Sequence, residues 1–118
     1  MVSSVTEVVT AVCRLPIEFR RGDVSAIDLV RRSGYLAARH EVTVERLADC
    51  LASDPDVVDA WLVWSEDNRS TPAWYIESLD TGAFEVGHYD HGRTSQVIFD
   101  DRIRACAEYV RHYVEQFA

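Results

Sequence analysis

The chain predicts an α+β domain, and three observations carry that reading. Residues 73–99, AWYIESLDTGAFEVGHYDHGRTSQVIF, form three alternating apolar–polar runs separated by turn chemistry. Residues 100–117 then repeat apolar positions at intervals of three and four. Ahead of both, residues 4–67 hold about four helical patterns with start and stop signals. The expected architecture is a three-stranded antiparallel β-meander (73–99) packed against a C-terminal helix (100–117) and preceded by about four helices. At 118 residues and 47% hydrophobic content, a single domain over 1–118 can bury a substantial core.

The first helix is expected over Ser4–Cys13. Ser4-x-x-Glu7 is a capping-box pattern, Val5, Val8, Val9 and Val12 recur at helical spacing, and Pro16 is read as ending the element. Arg21-Gly22-Asp23 reads as a turn and cap before a helix from about Val24 to Ser33, stopped by Gly34. Thr43 caps a third helix through about Ala52, with Val44, Leu47, Ala48 and Leu51 inward. Asp54-Pro55 is an N-cap followed by proline at the first helical position and opens a helix to about Asp67. Residues 60–65 (AWLVWS) also fit a strand. Residues 68–72 are expected to form a loop into the meander.

In the meander, a three-residue loop at Asp80-Thr81-Gly82 sets 79 opposite 83, 77 opposite 85 and 75 opposite 87. A two-residue loop at His91-Gly92 then sets 86 opposite 97 and 84 opposite 99. One face gathers Trp74, Ile76, Phe84, Val86, Val97 and Phe99, and Ile103, Cys106, Ala107, Val110, Tyr113, Val114 and Phe117 of the last helix are its expected cover. The other face gathers Tyr75, Glu77, Glu85 and Tyr89. There Glu77 and Glu85 stand directly opposite, and like charges so placed are destabilising.

The formal net charge is −8, and it is localised. Residues 49–101 carry twelve Asp and Glu against two Arg, whereas the segments on either side each come to +1. Such a directed negative field favours a basic partner and argues against nucleic acid. No run is long enough for a membrane span, and the N-terminus shows no basic leader, so a cytoplasmic protein with no membrane partner is expected. Cys13, Cys50 and Cys106 are odd in number and lie in helix-like segments, which fits free thiols in a reducing compartment.

Catalytic chemistry finds little footing. His88, Asp90 and His91 are the nearest approach to a metal cluster, but the turn points them apart; neither metal nor cofactor is expected. The chain has no glycine-rich phosphate loop, no GxSxG, no HExxH and no lysine, so no enzyme activity is expected.

The residues Trp74-Tyr75-Ile76-Glu77, Gly82, Phe84-Glu85-Val86-Gly87-His88-Tyr89, Phe99-Asp100-Asp101 and Ala105-Cys106-Ala107-Glu108-Tyr109-Val110 carry a family likeness. Over roughly residues 58–115 the chain resembles the small immunity proteins of bacterial polymorphic and contact-dependent growth-inhibition toxin systems. The resemblance implies stoichiometric neutralisation of a co-encoded toxin domain, commonly a nuclease, and transfers no binding residue. The charge pattern agrees, since a basic toxin cleft would be met by an acidic surface. The expected contact surface is Tyr75, Glu77, Glu85 and Tyr89 on the sheet, Asp80 and Asp90 at the hairpin ends, with Asp56, Asp59, Glu66 and Asp67 as a second patch. The protein is expected to act as a monomer, with a dimer as the alternative. A different class fits the same composition: an acidic secretion chaperone that holds an effector segment.

Overall fold

The computed structural model describes residues 4–22, 24–67 and 72–117. Among them are seven helices and one three-stranded antiparallel sheet in the order β1-β2-β3, an α+β fold. Helix α1 (Val5–Cys13) starts where expected, with the Ser4 hydroxyl accepting from the Glu7 amide at 3.2 Å. Pro16 does not simply end it. It lies in the first turn of a second helix, α2 (Leu15–Arg21), where its missing N–H costs nothing. Helix α3 (Ala26–Ser33) begins later than expected because Ser25 is its cap; Asp23, the expected cap, lies outside the described residues. Gly34, at φ 85, ends α3 as expected and turns the chain into the single-turn α4 (Tyr35–Ala38). Helix α5 (Val44–Ser53) is capped by Thr43. Residues 60–65 are helical within α6 (Pro55–Asp67), so the strand alternative does not hold. The expected loop at 68–72 lies, except for Pro72, outside the described residues.

The strands are β1 (Ala73–Ser78), β2 (Phe84–Tyr89) and β3 (Arg93–Phe99). The first hairpin has the expected register, with Glu77 opposite Glu85 and Tyr75 opposite Gly87, and Gly82 at φ 89 makes its turn. The second hairpin agrees at Phe84–Phe99 and Val86–Val97 and then departs. Beyond Val86 the pairing shifts by one residue, to His88–Thr94 and Tyr89–Arg93. The loop is therefore three residues, 90–92, and Ser95, at φ 55, is the left-handed residue of the irregular stretch. A one-residue shift exchanges the faces of everything beyond it. Arg93 thereby lands on the face of Tyr75, Glu77 and Glu85.

Helix α7 (Arg102–Glu115) opens on Asp101, whose carboxylate accepts from the amides of Ile103 and Arg104. It buries more than one stripe: Ala105 and Tyr109 are enclosed along with Cys106, Ala107, Val110, Tyr113 and Val114. The helix runs between the sheet and helices α5 and α6, so two sides of it face the interior. Trp61 of α6 is fully buried and meets Trp64, Tyr109 and Tyr113 edge-on, while its indole N–H donates to the Cys13 carbonyl at 2.8 Å. The Ile76 amide of β1 donates to Ser65 of α6 at 2.9 Å, so α6 takes up part of the outer edge of β1. The helical layer is drawn toward that side of the sheet, and β3 overhangs. Val97 shares the core face yet is 51% exposed, against the expectation that α7 would cover it, and Phe99 is only half-buried.

A second tie runs from α4 to the end of α7. The hydroxyl of buried Tyr35 donates to Glu115, and Arg39 and Arg111 converge on the same carboxylate. Burial and that hydrogen bond push the Tyr35 hydroxyl up to about 12, which keeps it a donor. The same hydrogen bond, with Arg111 behind it, holds Glu115 below the usual carboxylate range.

Candidate interaction surface

The opposed glutamates of the sheet are held by one arginine. Arg93 donates to Glu77 at 2.6 Å and to Glu85 at 2.7 Å, and its guanidinium lies 4.9 Å from the centre of the Tyr75 ring. The Tyr75 hydroxyl donates to Glu85 at 2.6 Å, and Gln96 donates to the same carboxylate oxygen at 3.3 Å. The like-charge pair that looked unfavourable along the sequence is thus a bridged one. The Tyr75 hydrogen bond, with Arg93 and Gln96 behind it, holds Glu85 below the ordinary carboxylate range despite the opposing effect of burial. Burial and its bond to Glu85 push the Tyr75 hydroxyl up to about 12, so it remains a donor.

Gly87 makes this arrangement fit. A Cβ there would stand 2.6 Å from the Tyr75 hydroxyl oxygen and 2.9 Å from the ring carbon that bears it. The tyrosine lies across the glycine with no room for a methyl group. Gly87→Ala is expected to displace Tyr75 from Glu85 and to cost about 1–2 kcal/mol, the gain in strand propensity offsetting part of the strain. Urea denaturation with an unchanged m-value would show it; a stabilised variant would contradict the packing.

The surface expected from the sequence divides accordingly. Tyr75 (4% exposed) and Glu85 (8%) are buried, so a partner would meet Arg93 before either of them. Asp80 is exposed on the first hairpin loop, and Tyr89 and Asp90 are exposed at the second, beside His91 at φ 58. His88 packs against the Trp74 ring on the core side while His91 projects from the loop, so the residues of the sequence-level metal candidate do not converge. Arg93 is what sequence reasoning missed. As one of only two arginines within residues 49–101, and adjoining the turn, it was visible; its face was not, because the irregularity at Ser95 decides it.

The second patch is more coherent. Asp56, Asp59, Val63, Glu66 and Asp67 are all exposed on α6, at spacings that place them along its solvent side. Every charged residue of α6 is acidic, and Val63 interrupts them at 42% exposure. Asp59 is partnered by Arg102 of α7. Between α6 and β1 runs a groove of about 250 Å³, lined by Leu62, Val63, Glu66, Ile76, Glu77 and Ser78. Leu62, Val63 and Ile76 give it an apolar part, with Glu66 on the α6 side and Glu77, already bridged to Arg93, on the β1 side.

Among the described residues, no helix is long and apolar enough to cross a membrane. No protein family, curated protein or solved structure was found to match the chain.

Proposed function

We propose that this chain is a binding module that neutralises a co-encoded basic toxin domain of nuclease type by one-to-one protein–protein contact. The groove between α6 and β1, with the acidic side of α6 beside it, is the contact surface. The observation that carries this reading is the combination on α6 of Asp56, Glu66 and Asp67 around exposed Val63, next to a partly apolar groove. An apolar centre with a charged rim suits a protein partner, where the centre supplies affinity and the rim speeds encounter and excludes wrong partners. The Arg93 bridge makes the centre of the sheet face the poorer candidate, because its carboxylates already have a cation. In this reading the chain contributes no chemistry of its own and acts in the cytoplasm, blocking access to its partner.

The test uses the C-terminal domain of the protein encoded immediately upstream as the probe in titration calorimetry. One-to-one binding is expected. Asp56→Lys combined with Glu66→Lys is expected to weaken it at least about a hundredfold, or about 3 kcal/mol, with little change in melting temperature. Absence of binding by the wild-type chain, or undiminished binding by the doubly reversed variant, would overturn the reading. Reversing Glu77 and Glu85 would be a poor test, since it would break the Arg93 bridge and destabilise the sheet as well as alter the surface.

A further inference from the structure

Two of the three cysteines, far apart in sequence, lie on helices that pack together in the fold. Cys13, at the end of α1, faces α5, the helix that carries Cys50. The Cys13 sulfur also lies 3.9 Å from the carbonyl oxygen of Leu47, one turn before Cys50 on the same helix. The two thiols differ in access. Cys13 is 2% exposed, whereas Cys50 is half-buried and lines a cavity of about 420 Å³ between α1 and α5. Thr6, Thr10, Arg46 and Asp49 line the same cleft beside Val9, and it is open enough to admit a small solute. Cys106 on α7 is wholly enclosed.

We propose that Cys13 and Cys50 form an oxidant-responsive dithiol, with Cys50 as the thiol a small peroxide reaches and Cys13 as the thiol that resolves it. The chemistry balances with hydrogen peroxide as the oxidant. The Cys50 thiolate attacks one peroxide oxygen, the O–O bond breaks, and the departing hydroxide takes up a proton, leaving Cys50 as sulfenic acid and one water. The Cys13 sulfur, on losing its proton, attacks the Cys50 sulfur. The S–O bond breaks, a second water leaves, and the disulfide forms. Two thiols give up two electrons to one peroxide, which becomes two waters. Thiolate character and access govern the first step, and access separates these two cysteines. Burial pushes the Cys13 thiol up, so little of it is thiolate and closure is slow. The product would add a covalent link between α1 and α5, which otherwise touch only by packing.

Trypsin would separate the three cysteines, because Arg14, Arg46, Arg69, Arg104 and Arg111 place each in a different peptide. After treatment of the full chain with excess hydrogen peroxide, alkylatable thiols in the unfolded protein are expected to fall from three to one. Mass spectrometry should find the Cys13 and Cys50 peptides joined, and dithiothreitol should release them. Cys106→Ala should still form the link, and Cys13→Ser should accumulate Cys50 sulfenic acid that dimedone captures. The proposal is overturned if Cys50 goes on to sulfinic acid without linking, if the link involves Cys106, if only intermolecular disulfides appear, or if all three thiols survive.

Discussion

Trp61→Ala is expected to leave the protein largely unfolded near physiological temperature. Truncating a fully buried tryptophan costs about 3–5 kcal/mol through lost transfer energy and the cavity left behind. Trp61 adds two further terms. Three aromatic neighbours lose their edge-on contacts, and the Cys13 carbonyl loses the indole N–H that holds the end of α1 against α6. A total of about 5 kcal/mol stands against a usual domain stability of about 5–15 kcal/mol. In thermal unfolding this should read as a fall of about 20 °C or an absent transition. Trp61→Phe, which keeps much of the ring but not the N–H, should lose roughly half as much. A loss below about 2 kcal/mol for the alanine variant would show that the cluster around α6 and α7 is not the centre of the core.

Arg93→Met is expected to cost about 2–3 kcal/mol, large for a residue on an edge strand. The variant keeps most of the aliphatic stem and removes the guanidinium, so Glu77 and Glu85 face each other unbridged, with Glu85 buried. A wholly enclosed ion pair broken in this way loses about 3–5 kcal/mol; Arg93 is 39% exposed along its side chain, and solvent screening lowers the figure. Glu77→Gln in the Arg93→Met background should recover part of the loss, whereas in the wild-type chain it should destabilise. That reversal of sign, read from urea midpoints, separates a charge bridge from simple packing.

The same bridge sets a pH dependence. Glu85 is held below its unfolded value, chiefly by the Tyr75 hydroxyl, so the unfolded chain binds the proton more readily. Its stabilisation is complete above the unfolded glutamate value of about 4.3 and is lost as pH falls through the folded one. Glu115, held down by Tyr35 and then Arg111, acts in the same direction. Stability should therefore fall steadily below about pH 4.5, and less steeply in the Arg93→Met variant.

Much of this fold was readable from local chemistry. The caps at Ser4 and Thr43 and the left-handed glycines 34 and 82 stand where their side chains, or lack of one, require. The first hairpin was legible because each alternative register mixes charged and apolar positions. The second was legible only to Val86, because Ser95 adopts positive φ and a serine does not announce that. Helix α2 was hidden by Pro16, which starts a helix as readily as it stops one. Helix α4 is a single turn, too short to show a period. The breadth of burial on α7 follows from its place between two layers, which its own sequence does not state.

Of the surface read from the sequence, Asp56, Glu66 and Asp67 face outward on α6, Asp59 is paired with Arg102, and the sheet glutamates are bridged by Arg93. The proposed contact follows from the outward-facing set on α6. Hydrogen–deuterium exchange on the complex with the upstream-encoded domain tests it most directly. New protection should appear over residues 56–67 and 76–78, with the amides of β3 unchanged. Protection confined to β3 and the second hairpin loop would contradict it.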